Sequence, residues 1–471
     1  MTIPTTLSMT GDQHRQILNF SFPGDGREAV TVLVCGRREG DRRHRLTVRE
    51  VFEVPYESCS VRTETLVTWR PELIELVLNQ AETERLTLIK VHNHPSGYPE
   101  FSPTDDAGDQ RLIPMIRGWV EADIPHGSAV ILPDGTMFGR VLNGNGLFEA
   151  ISAINVAGDD LKFWYPDTGS IGNPSFVASH KQAFGEGTTE QLRRLSVAVI
   201  GCSGTGSPVI EQLMRLGVGE IVVVDDDRML DRNVNRILNS TMADADGQRQ
   251  KVAVATDAVI GAGLGTRVIA LPFSLWNPKV VEQVAQSDVV FGCMDTVDGR
   301  YLLNTLATYY CIPYFDIGVR LDAIPDENGQ GVIREICGTV HYLQPGRSSL
   351  ISRDLFSMEQ VAAAGLFRKD RDAYLGQRHA GYIAGIDEQR PAVISVNMFA
   401  ASLAVNEFLA RIHPYREEPN CMHASVTFSL ASMELFSEPE DGTCDVLSNR
   451  VGFGDRTPLL DLVELAERRV A

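Results

Sequence analysis

The sequence predicts an α/β fold with more than one domain. Its 471 residues are 43% hydrophobic and 22% charged, which is an ordinary globular composition and enough chain for two or three domains. The apolar, β-branched run Val197–Ile200 is typical of a buried strand, and the glycine-rich turn Gly201–Gly206 connects it to a helical pattern. Residues 1–150 mix strand and helix patterns. We therefore expect an α+β domain first and a β-α-β domain after it.

Composition excludes several classes of function. No stretch approaches the roughly 18 consecutive apolar residues of a membrane span, and residues 1–16 lack the basic and apolar regions of a signal peptide. We expect a cytoplasmic protein with no membrane partner. The net charge of −19 argues against non-specific binding to the phosphate backbone of nucleic acids. The eight cysteines are scattered, as free thiols are in reducing compartments.

The first 150 residues show the hydrophobic patterns of an α+β domain. The expected elements are strands over Ala29–Cys35, Arg45–Val54 and Leu86–Val91, helices over Pro71–Glu84 and Ala107–Ala122, and a hairpin from Ser128–Leu132 to Met137–Val141. The strand over Leu86–Val91 runs directly into His92 and His94. It therefore carries two imidazoles at its C-terminal end.

His92 and His94 are followed by Ser102 and Asp105 in the pattern H-x-H, then S-x-x-D. Histidines two apart on an extended segment point to the same side, and a carboxylate at the start of the next helix can complete three protein ligands. A catalytic zinc takes three protein ligands and leaves its fourth position to water. The alternative is a surface loop before a helix, with Ser102 or Thr104 as its N-cap and Asp105 or Asp106 favouring its dipole.

This motif resembles that of the JAMM (JAB/MPN) metalloprotease family over roughly residues 15–145. The resemblance implies an α+β, cytidine-deaminase-like fold and one zinc, with the ligands His92, His94 and Asp105. It implies that Ser102 helps to stabilise the oxyanion. The family's upstream Glu corresponds to Glu28, which would activate the zinc-bound water and later protonate the leaving amine.

Two alternatives stay open for this half of the chain. Glu28 could be an ordinary exposed residue at a strand start, and Thr31 stands where the family has its first glycine. The sequence HNHPSG also occurs in RadC-like proteins of the same fold. The motif therefore supports a metal-site fold more firmly than any one substrate.

The turn Gly201–Gly206 predicts a nucleotide site. Glycines let a phosphate approach the main chain, and the N–H groups and dipole of the following helix attract it. Gly201 and Gly206 fit a G-x-G-x-x-G dinucleotide fingerprint, but Ser203 replaces its middle glycine. Asp225 lies where an acid would hold a ribose in either an NAD or an ATP site. The turn alone therefore leaves the nucleotide open.

The residues beyond this turn favour ATP. A reaction at the α-phosphate of ATP needs carboxylates for ribose and Mg²⁺ and cations for the developing charge. Residues of these types follow at Asp227, Asn233, Arg236, Lys251 and Asp295. Taken singly, each could be a solvated charge or a helix cap.

Together these residues resemble the ThiF/MoeB and ubiquitin-activating-enzyme superfamily over about residues 180–412. The resemblance implies a Rossmann-like, doubly wound adenylation domain that uses ATP and Mg²⁺. By this resemblance, the phosphates would be held by the turn that contains Gly201, Gly204 and Gly206, and the ribose by Asp225 or Asp227. Asn233 would lie beside the nucleotide. Arg236 and Lys251 would contact phosphates, and Asp295 would bind Mg²⁺.

The chain departs from that superfamily at three places. Lys181 stands where members often have an Arg, and a lysine cannot make the same bidentate phosphate contact. Many relatives bind a structural zinc through two C-x-x-C pairs, but here Ser349 and Ser352 replace the first pair and Cys444 alone remains of the second. We therefore expect no zinc there. The segment Ala373–Gln389 lacks the cysteine of thioester-forming relatives.

We expect four regions in the chain. They are a JAB/MPN metalloprotease-like domain at 1–150, a linker at 151–184, an adenylation domain at 185–456, and a C-terminal docking helix at 457–471. The last region keeps apolar residues at helical spacing, which is typical of packing.

The two resemblances together predict a bifunctional enzyme of a bacterial-type ubiquitin-like protein system. One site would adenylate the C-terminus of a ubiquitin-like or sulfur-carrier β-grasp protein, and the zinc site would cleave a peptide or isopeptide bond after that terminus. A conjugating enzyme and a homodimer formed through the adenylation domain are further expected partners. The alternative is activation of a sulfur carrier or a small-molecule carboxylate for cofactor or metabolite synthesis, which the missing loop cysteine favours.

Overall fold

The computed structural model describes residues 3–120, 124–166, 174–325, 327, 330–379 and 393–458. The chain forms two compact units. The first consists of Met1–Gly169 together with Thr308–Cys311 and Arg450–Arg456, and the second of the remaining residues. In the described part of the chain, no helix has both the length and the apolar composition that crossing a membrane requires.

The first unit is built on one mixed sheet with the strand order β11-β10-β1-β3-β2-β6-β7-β8-β9, and β4 pairs separately with β5. Its strands are β1 (Thr5–Thr10), β2 (Val30–Arg38), β3 (His44–Glu53), β4 (Cys59–Arg62), β5 (Val67–Trp69), β6 (Thr87–Asn93), β7 (Gly127–Ile131), β8 (Met137–Leu142), β9 (Phe148–Ala150), β10 (Ala153–Ala157) and β11 (Leu161–Trp164). Its helices are α1 (Gly11–Ser21), α2 (Glu75–Glu84) and α3 (Pro103–Val120), with 3-10 turns at Tyr56–Ser58 and Pro71–Ile74.

The sheet of the first unit has a hydrophobic core on each face. Alternate residues of β2 point to opposite faces. Leu33 and Cys35 pack with Ile17 of α1, whereas Val32 and Val34 pack with apolar residues of α2 and α3. The three strands and two helices that hydrophobic periodicity predicts before residue 125 are all present, with ends shifted by a few residues.

Two strands of this sheet lie where a linker is expected. Residues 151–184 are the expected linker, but β10 pairs in parallel with β1, and β11 continues the sheet beyond β10. Residues 167–173 lie outside the described part, and α4 (Ala178–Arg194) follows them. Residues 153–164 therefore belong to the sheet of the first unit, because the short apolar run Ala153–Ala157 pairs with β1.

Two later segments of the chain belong to the first unit. Arg45 is 1% exposed, and its Nη1 donates to the Tyr310 carbonyl oxygen at 3.2 Å. The Thr47 hydroxyl donates to the Gly452 carbonyl oxygen at 2.7 Å. The first unit is therefore discontinuous in sequence.

The second unit is a Rossmann-like α/β fold. Strands β14-β13-β12-β15-β16 are parallel, and β17, β18 and β19 continue the sheet as antiparallel strands. Its strands are β12 (Ser196–Ile200), β13 (Glu220–Val224), β14 (Arg267–Leu271), β15 (Val289–Gly292), β16 (Tyr314–Pro325), β17 (Gly331–Leu343), β18 (Ser425–Ser429) and β19 (Glu434–Glu438). The helices after α4 are α5 (Gly206–Arg215), α6 (Asp231–Val234), α7 (Met242–Asp246), α8 (Lys251–Ala262), α9 (Pro278–Val284), α10 (Val297–Tyr310), α11 (Met358–Lys369), α12 (Arg371–His379) and α13 (Ile394–Ile412).

The strand order reverses direction between β12 and β15. Ligands of open α/β sheets bind at the carboxyl ends of the strands where such a reversal occurs. The glycine turn follows β12, and Asp295 follows β15. The fold therefore places both at the switch point. The expected docking helix at 457–471 falls almost entirely outside the described residues.

Candidate functional site

Three side chains of the first unit bring their ligand atoms together at the end of β6. His92 Nε2 lies 2.8 Å from Asp105 Oδ1, and His94 Nε2 lies 3.3 Å from Asp105 Oδ2. The two Nε2 atoms are 3.1 Å apart. Two imidazole nitrogens and one carboxylate oxygen, all within 4.8 Å of one another, are a donor set that suits zinc with a fourth position open.

The surroundings of His92 and Asp105 favour the protonation states that bind a metal, whereas the pKa of His94, which burial alone would lower, is raised by its contacts with Asp105 and the Tyr98 carbonyl. His94 Nδ1 lies 2.7 Å from the Tyr98 carbonyl oxygen, so Nδ1 carries the proton and the Nε2 lone pair faces the cluster. Burial lowers the pKa of His92 to about 4. Burial alone would raise the pKa of Asp105, but a hydrogen bond from His92 and the proximity of His94 and Ser102 hold that pKa below its ordinary value. Neutral His and ionised Asp are the ligand forms.

Ser102 and Asp105 also form the N-terminal cap of α3. The Ser102 N–H donates to Asp105 Oδ2 at 2.7 Å, and the Asp105 N–H donates to Ser102 Oγ at 3.2 Å. This reciprocal pair fixes the rotamer of Asp105 while its carboxylate faces the histidines. The helix-cap and metal-ligand interpretations are therefore compatible.

Glu28 is buried beside this cluster, at 6% exposure. The Ala29 N–H donates to Asn93 Oδ1 at 2.6 Å, and Asn93 Nδ2 donates to the Arg27 carbonyl at 3.3 Å. Asn93, the residue between the two histidines, thus holds the segment that carries Glu28. Burial, and then the charge of Asp105, raise the pKa of Glu28 to about 7. Glu28 is therefore not the exposed strand-end residue of the alternative interpretation.

A buried charge cluster supports the same part of α3. Asp109 is fully buried and accepts from Lys90 Nζ at 2.6 Å and from Arg140 Nη2 at 2.7 Å. Arg140 Nη1 also donates to Asp106 at 2.5 Å, and its guanidinium lies 3.8 Å from the ring centre of Phe101. This cluster ties β6 and β8 to α3, and the sequence motifs do not reveal it.

Asp109→Ala is expected to destabilise the first unit by about 3–5 kcal/mol, because two cations lose their buried partner. Urea unfolding of the full chain measures this through tryptophan fluorescence, since three of the four tryptophans, Trp69, Trp119 and Trp164, lie in the first unit. Asp106→Ala is the matched control. The Asp106 side chain is 49% exposed, so its loss should cost about 1 kcal/mol or less. Equal unfolding midpoints for the two variants would contradict the role given to Asp109.

The glycine turn of the second unit has the shape of a phosphate-binding loop. Gly201 has φ +95°, and an added Cβ would lie 2.6 Å from the Cys293 carbonyl oxygen. A Cβ on Gly206 would overlap the Gly201 carbonyl oxygen. Only glycine fits these two positions. The turn leads directly into the N-terminus of α5.

Asp225, Asp227 and Lys251 meet beside this turn. The Asp225 carboxylate accepts from the Cys202 N–H at 2.8 Å, which fixes it against the turn. Lys251 is 5% exposed, with its Nζ 2.6 Å from Asp227 and 3.8 Å from Asp225. The structure thus brings together the acidic and basic groups that the sequence predicts near a nucleotide.

Of the other three expected residues, Asn233 lies in the short helix α6, and Arg236 and Asp295 lie on loops. Asn233 is buried, and its Oδ1 accepts from the Leu230 N–H at 3.0 Å, so it fixes the first turn of α6. Arg236 donates to the carbonyl oxygen of Arg232. Asp295 is exposed between β15 and α10.

The positions that depart from the superfamily pattern make local contacts. Ser349 Oγ accepts from the N–H groups of Ile351 and Ser352, both at 3.2 Å. Cys444 is buried. Lys181 pairs with Glu186 at 2.7 Å on the surface. Residues 380–389 of the segment that lacks a cysteine lie outside the described part of the chain.

Comparison with known proteins identifies a family and several similar proteins. A family model described as "ThiF family" matches residues 178–445, more than half of the chain. The adenylyltransferase and sulfurtransferase UBA4 of Meyerozyma guilliermondii is 33% identical over 132 residues, which are 28% of this chain and 30% of that protein.

Two prokaryotic relatives match a similar length. The SAMP-activating enzyme E1 of Haloferax volcanii is 37% identical over 129 residues, 27% of this chain and 47% of that protein. The sulfur carrier protein adenylyltransferase of Thermus thermophilus is 34% identical over 118 residues, 25% of this chain and 43% of that protein. The chain thus spans less than half the length of these relatives. The crystal structure of E. coli MccB with ATP covers 59% of this chain and 75% of its own, with a TM-score of 0.43 and 17% identity.

Proposed function

Because this chain belongs to the ThiF family, we propose that its second unit uses ATP and Mg²⁺ to adenylate the C-terminal carboxylate of a ubiquitin-like or sulfur-carrier β-grasp protein. The observation that carries this proposal is the glycine turn at the switch point of the sheet, with Lys251, Asp225 and Asp227 beside it. The name of the Thermus thermophilus relative, sulfur carrier protein adenylyltransferase, supports this kind of substrate.

In the proposed reaction, a carboxylate oxygen attacks the α-phosphorus of ATP. A new O–P bond forms, the bond from the α-phosphorus to the bridging oxygen of the β-phosphate breaks, and its electron pair leaves with pyrophosphate. Arg236 and Lys251 would neutralise charge on the phosphate oxygens, and Asp225 or Asp227 would hold the ribose. Asp295 would hold Mg²⁺. The Lys251 ammonium group would then contact both the Asp227 carboxylate and a phosphate of the nucleotide.

We further propose that the first unit is a zinc (iso)peptidase of the JAMM type. Zinc bound by His92, His94 and Asp105 would polarise a water molecule and the scissile carbonyl. Glu28 would take a proton from the attacking water and give it to the leaving amine, a task that suits a carboxyl group with a pKa near 7. The Ser102 hydroxyl would donate a hydrogen bond to the developing oxyanion.

One substrate tail would serve both units in this proposal. The second unit would activate the C-terminus of the β-grasp protein, and the first would cut the bond after that terminus, either to mature a precursor or to reverse conjugation. A conjugating enzyme, a homodimer through the adenylation domain and a cytoplasmic location stay predictions.

ATP–pyrophosphate exchange tests the adenylation proposal. The full chain is assayed with candidate β-grasp proteins, and in parallel with free amino acids and peptides. Exchange that depends on a β-grasp protein supports the proposal. Exchange with a small molecule alone would refute it in favour of the second candidate, activation of a small carboxylate for cofactor or metabolite synthesis. The absence of a cysteine from Ala373–Gln389 favours that candidate, because a covalent relay to a conjugating enzyme usually uses one.

Metal analysis tests the zinc proposal. The purified full chain is expected to hold about one zinc, because its first unit offers three ligands and an open position. His94→Ala should lose that zinc, whereas His44→Ala, a histidine on β3 of the same sheet, should keep it. A parent chain without zinc would contradict the metal site. Two zinc ions per chain would contradict the expectation that the position of Ser349 and Ser352 binds none.

A further inference from the structure

The side-chain amide of Asn397 lies against the glycine turn of the second unit. Asn397 is on the first turn of α13 and is 5% exposed. A Cβ added to Gly204 would overlap its amide nitrogen and would lie 3.2 Å from its Cγ and 3.4 Å from Arg236 Cδ. Asn397, Arg236 and the main chain at Gly204 therefore converge at one point of the turn.

Two helix N-termini are available at this point. Helix α5 starts at Gly206, and neither its N-cap residue Thr205 nor Val393 at the N-cap of α13 makes a side-chain capping bond. At the start of α5 the Ser207 N–H already donates to the Ser203 carbonyl oxygen at 2.9 Å, and Pro208 has no N–H. The helix therefore contributes mainly the partial positive charge of its N-terminus, which attracts an anion. Asn397 adds a side-chain N–H donor to this polar environment.

The side-chain amide of Asn397 has no hydrogen-bond partner among the residues that the structure describes. A ligand oxygen could accept a hydrogen bond from this amide, which the described residues leave without an acceptor. The donor lies beside Arg236, which the adenylation proposal assigns to a phosphate. The missing acceptor is therefore best supplied by a phosphate of the nucleotide.

We propose that Asn397 donates its side-chain N–H to a non-bridging oxygen of the α-phosphate of ATP. The inference rests on the proposed adenylation function and adds a neutral donor to the cations Arg236 and Lys251. A donor held in a fixed direction stabilises the charge that develops on the α-phosphate during attack by the carboxylate. It also gives α13 a direct role in nucleotide binding.

Nucleotide titration of the full chain tests this contact. The parent and Asn397→Ala are each titrated with Mg·ATP, AMP and adenosine. For Asn397→Ala the Kd values for ATP and AMP should both rise by about tenfold or more, as expected for a lost hydrogen bond to a charged group. The Kd for adenosine should stay unchanged, since it has no phosphate. Asn406→Ala, an exposed position on the same helix, should match the parent in all three titrations.

The pattern over the three ligands decides the outcome. Unchanged binding of ATP and AMP would overturn the inference, and so would a weakened Kd for ATP with that for AMP retained, because the contact would then not be to the α-phosphate. An equal loss for adenosine would also overturn it, since Asn397 would then only support the shape of the pocket. Failure of the parent itself to bind Mg·ATP would instead contradict the proposed function.

Gly204→Ala gives an independent check, because its methyl group would displace the Asn397 amide. If the amide is a phosphate donor, Gly204→Ala should weaken ATP and AMP binding, and adding Asn397→Ala to it should change the Kd no further. If Asn397 only fills space, the double variant has room for the methyl group and should bind better than Gly204→Ala alone. That recovery would overturn the inference.

Discussion

Replacing Arg236 by alanine is expected to slow ATP–pyrophosphate exchange by about 100- to 1,000-fold, because a preorganised charge at the reacting phosphate is lost. Arg236 is partly exposed, and among the described residues its side chain donates hydrogen bonds to the Arg232 carbonyl oxygen and to the Asn235 side chain. The fold should therefore tolerate the change. The measurement is the exchange rate at saturating ATP and carrier protein, with the zinc content of the same sample determined in parallel.

Arg232→Ala is the matched control for this prediction. Arg232 lies one helical turn before Arg236, is exposed, and contributes its main-chain carbonyl to Arg236, which the substitution keeps. Its exchange rate should stay within a few-fold of the parent. Parent-like exchange by Arg236→Ala would show that this guanidinium does not contact the phosphates.

Glu28→Gln is expected to lower peptidase activity by about 100- to 10,000-fold, the usual contribution of a general base. Gln has nearly the same shape as Glu but cannot accept the proton of the attacking water. Cleavage is measured on a β-grasp protein that carries a reporter peptide after its C-terminus. The zinc content should stay at the parent level, because Glu28 is not among the three ligands.

Glu64→Gln serves as the control on the same side of the first unit. Glu64 is exposed in the loop between β4 and β5, so its replacement should leave cleavage unchanged. If Glu28→Gln cleaves at the parent rate while zinc is bound, Glu28 is not the base. If Glu28→Gln loses zinc, the Glu28 carboxylate helps to hold the metal, a role that the site of three ligands does not include.

Local patterns predict much of the fold because they act over a few residues. The strand, turn and helix from Val197 to Arg215 follow from one apolar run, one glycine turn and one helical periodicity. By contrast, the sequence pattern predicts a linker at β10. The apolar run Ala153–Ala157 is too short to indicate a strand by itself, and its partner β1 lies more than 140 residues earlier. The strand forms because it pairs with a distant segment, and a pattern over a few residues does not predict such a pairing.

The same distinction applies to the site. His92, His94 and Asp105 lie within 14 residues of one another, so their spacing indicates their chemistry. The burial of Glu28 arises from the pairing of β2 with β6, which places Val30 opposite His92. The bridging role of Asn93 depends on that pairing as well. The sequence does contain a signal for this role, because Asn93 is the middle residue of the histidine motif and its amide can both donate to and accept from a neighbouring main chain, as it does at Arg27 and Ala29.

The discontinuous first unit has a consequence for protein engineering. A fragment that ends near residue 169 lacks the Tyr310 carbonyl that Arg45 contacts and the Gly452 carbonyl that Thr47 contacts. Gly36 would also lose the backbone of Gly452, which occupies the space beside it. Truncation at the apparent domain border would therefore expose a cavity and leave buried polar groups with fewer partners. Inactivating one unit by point substitution in the full chain is the sounder way to separate the two proposed activities.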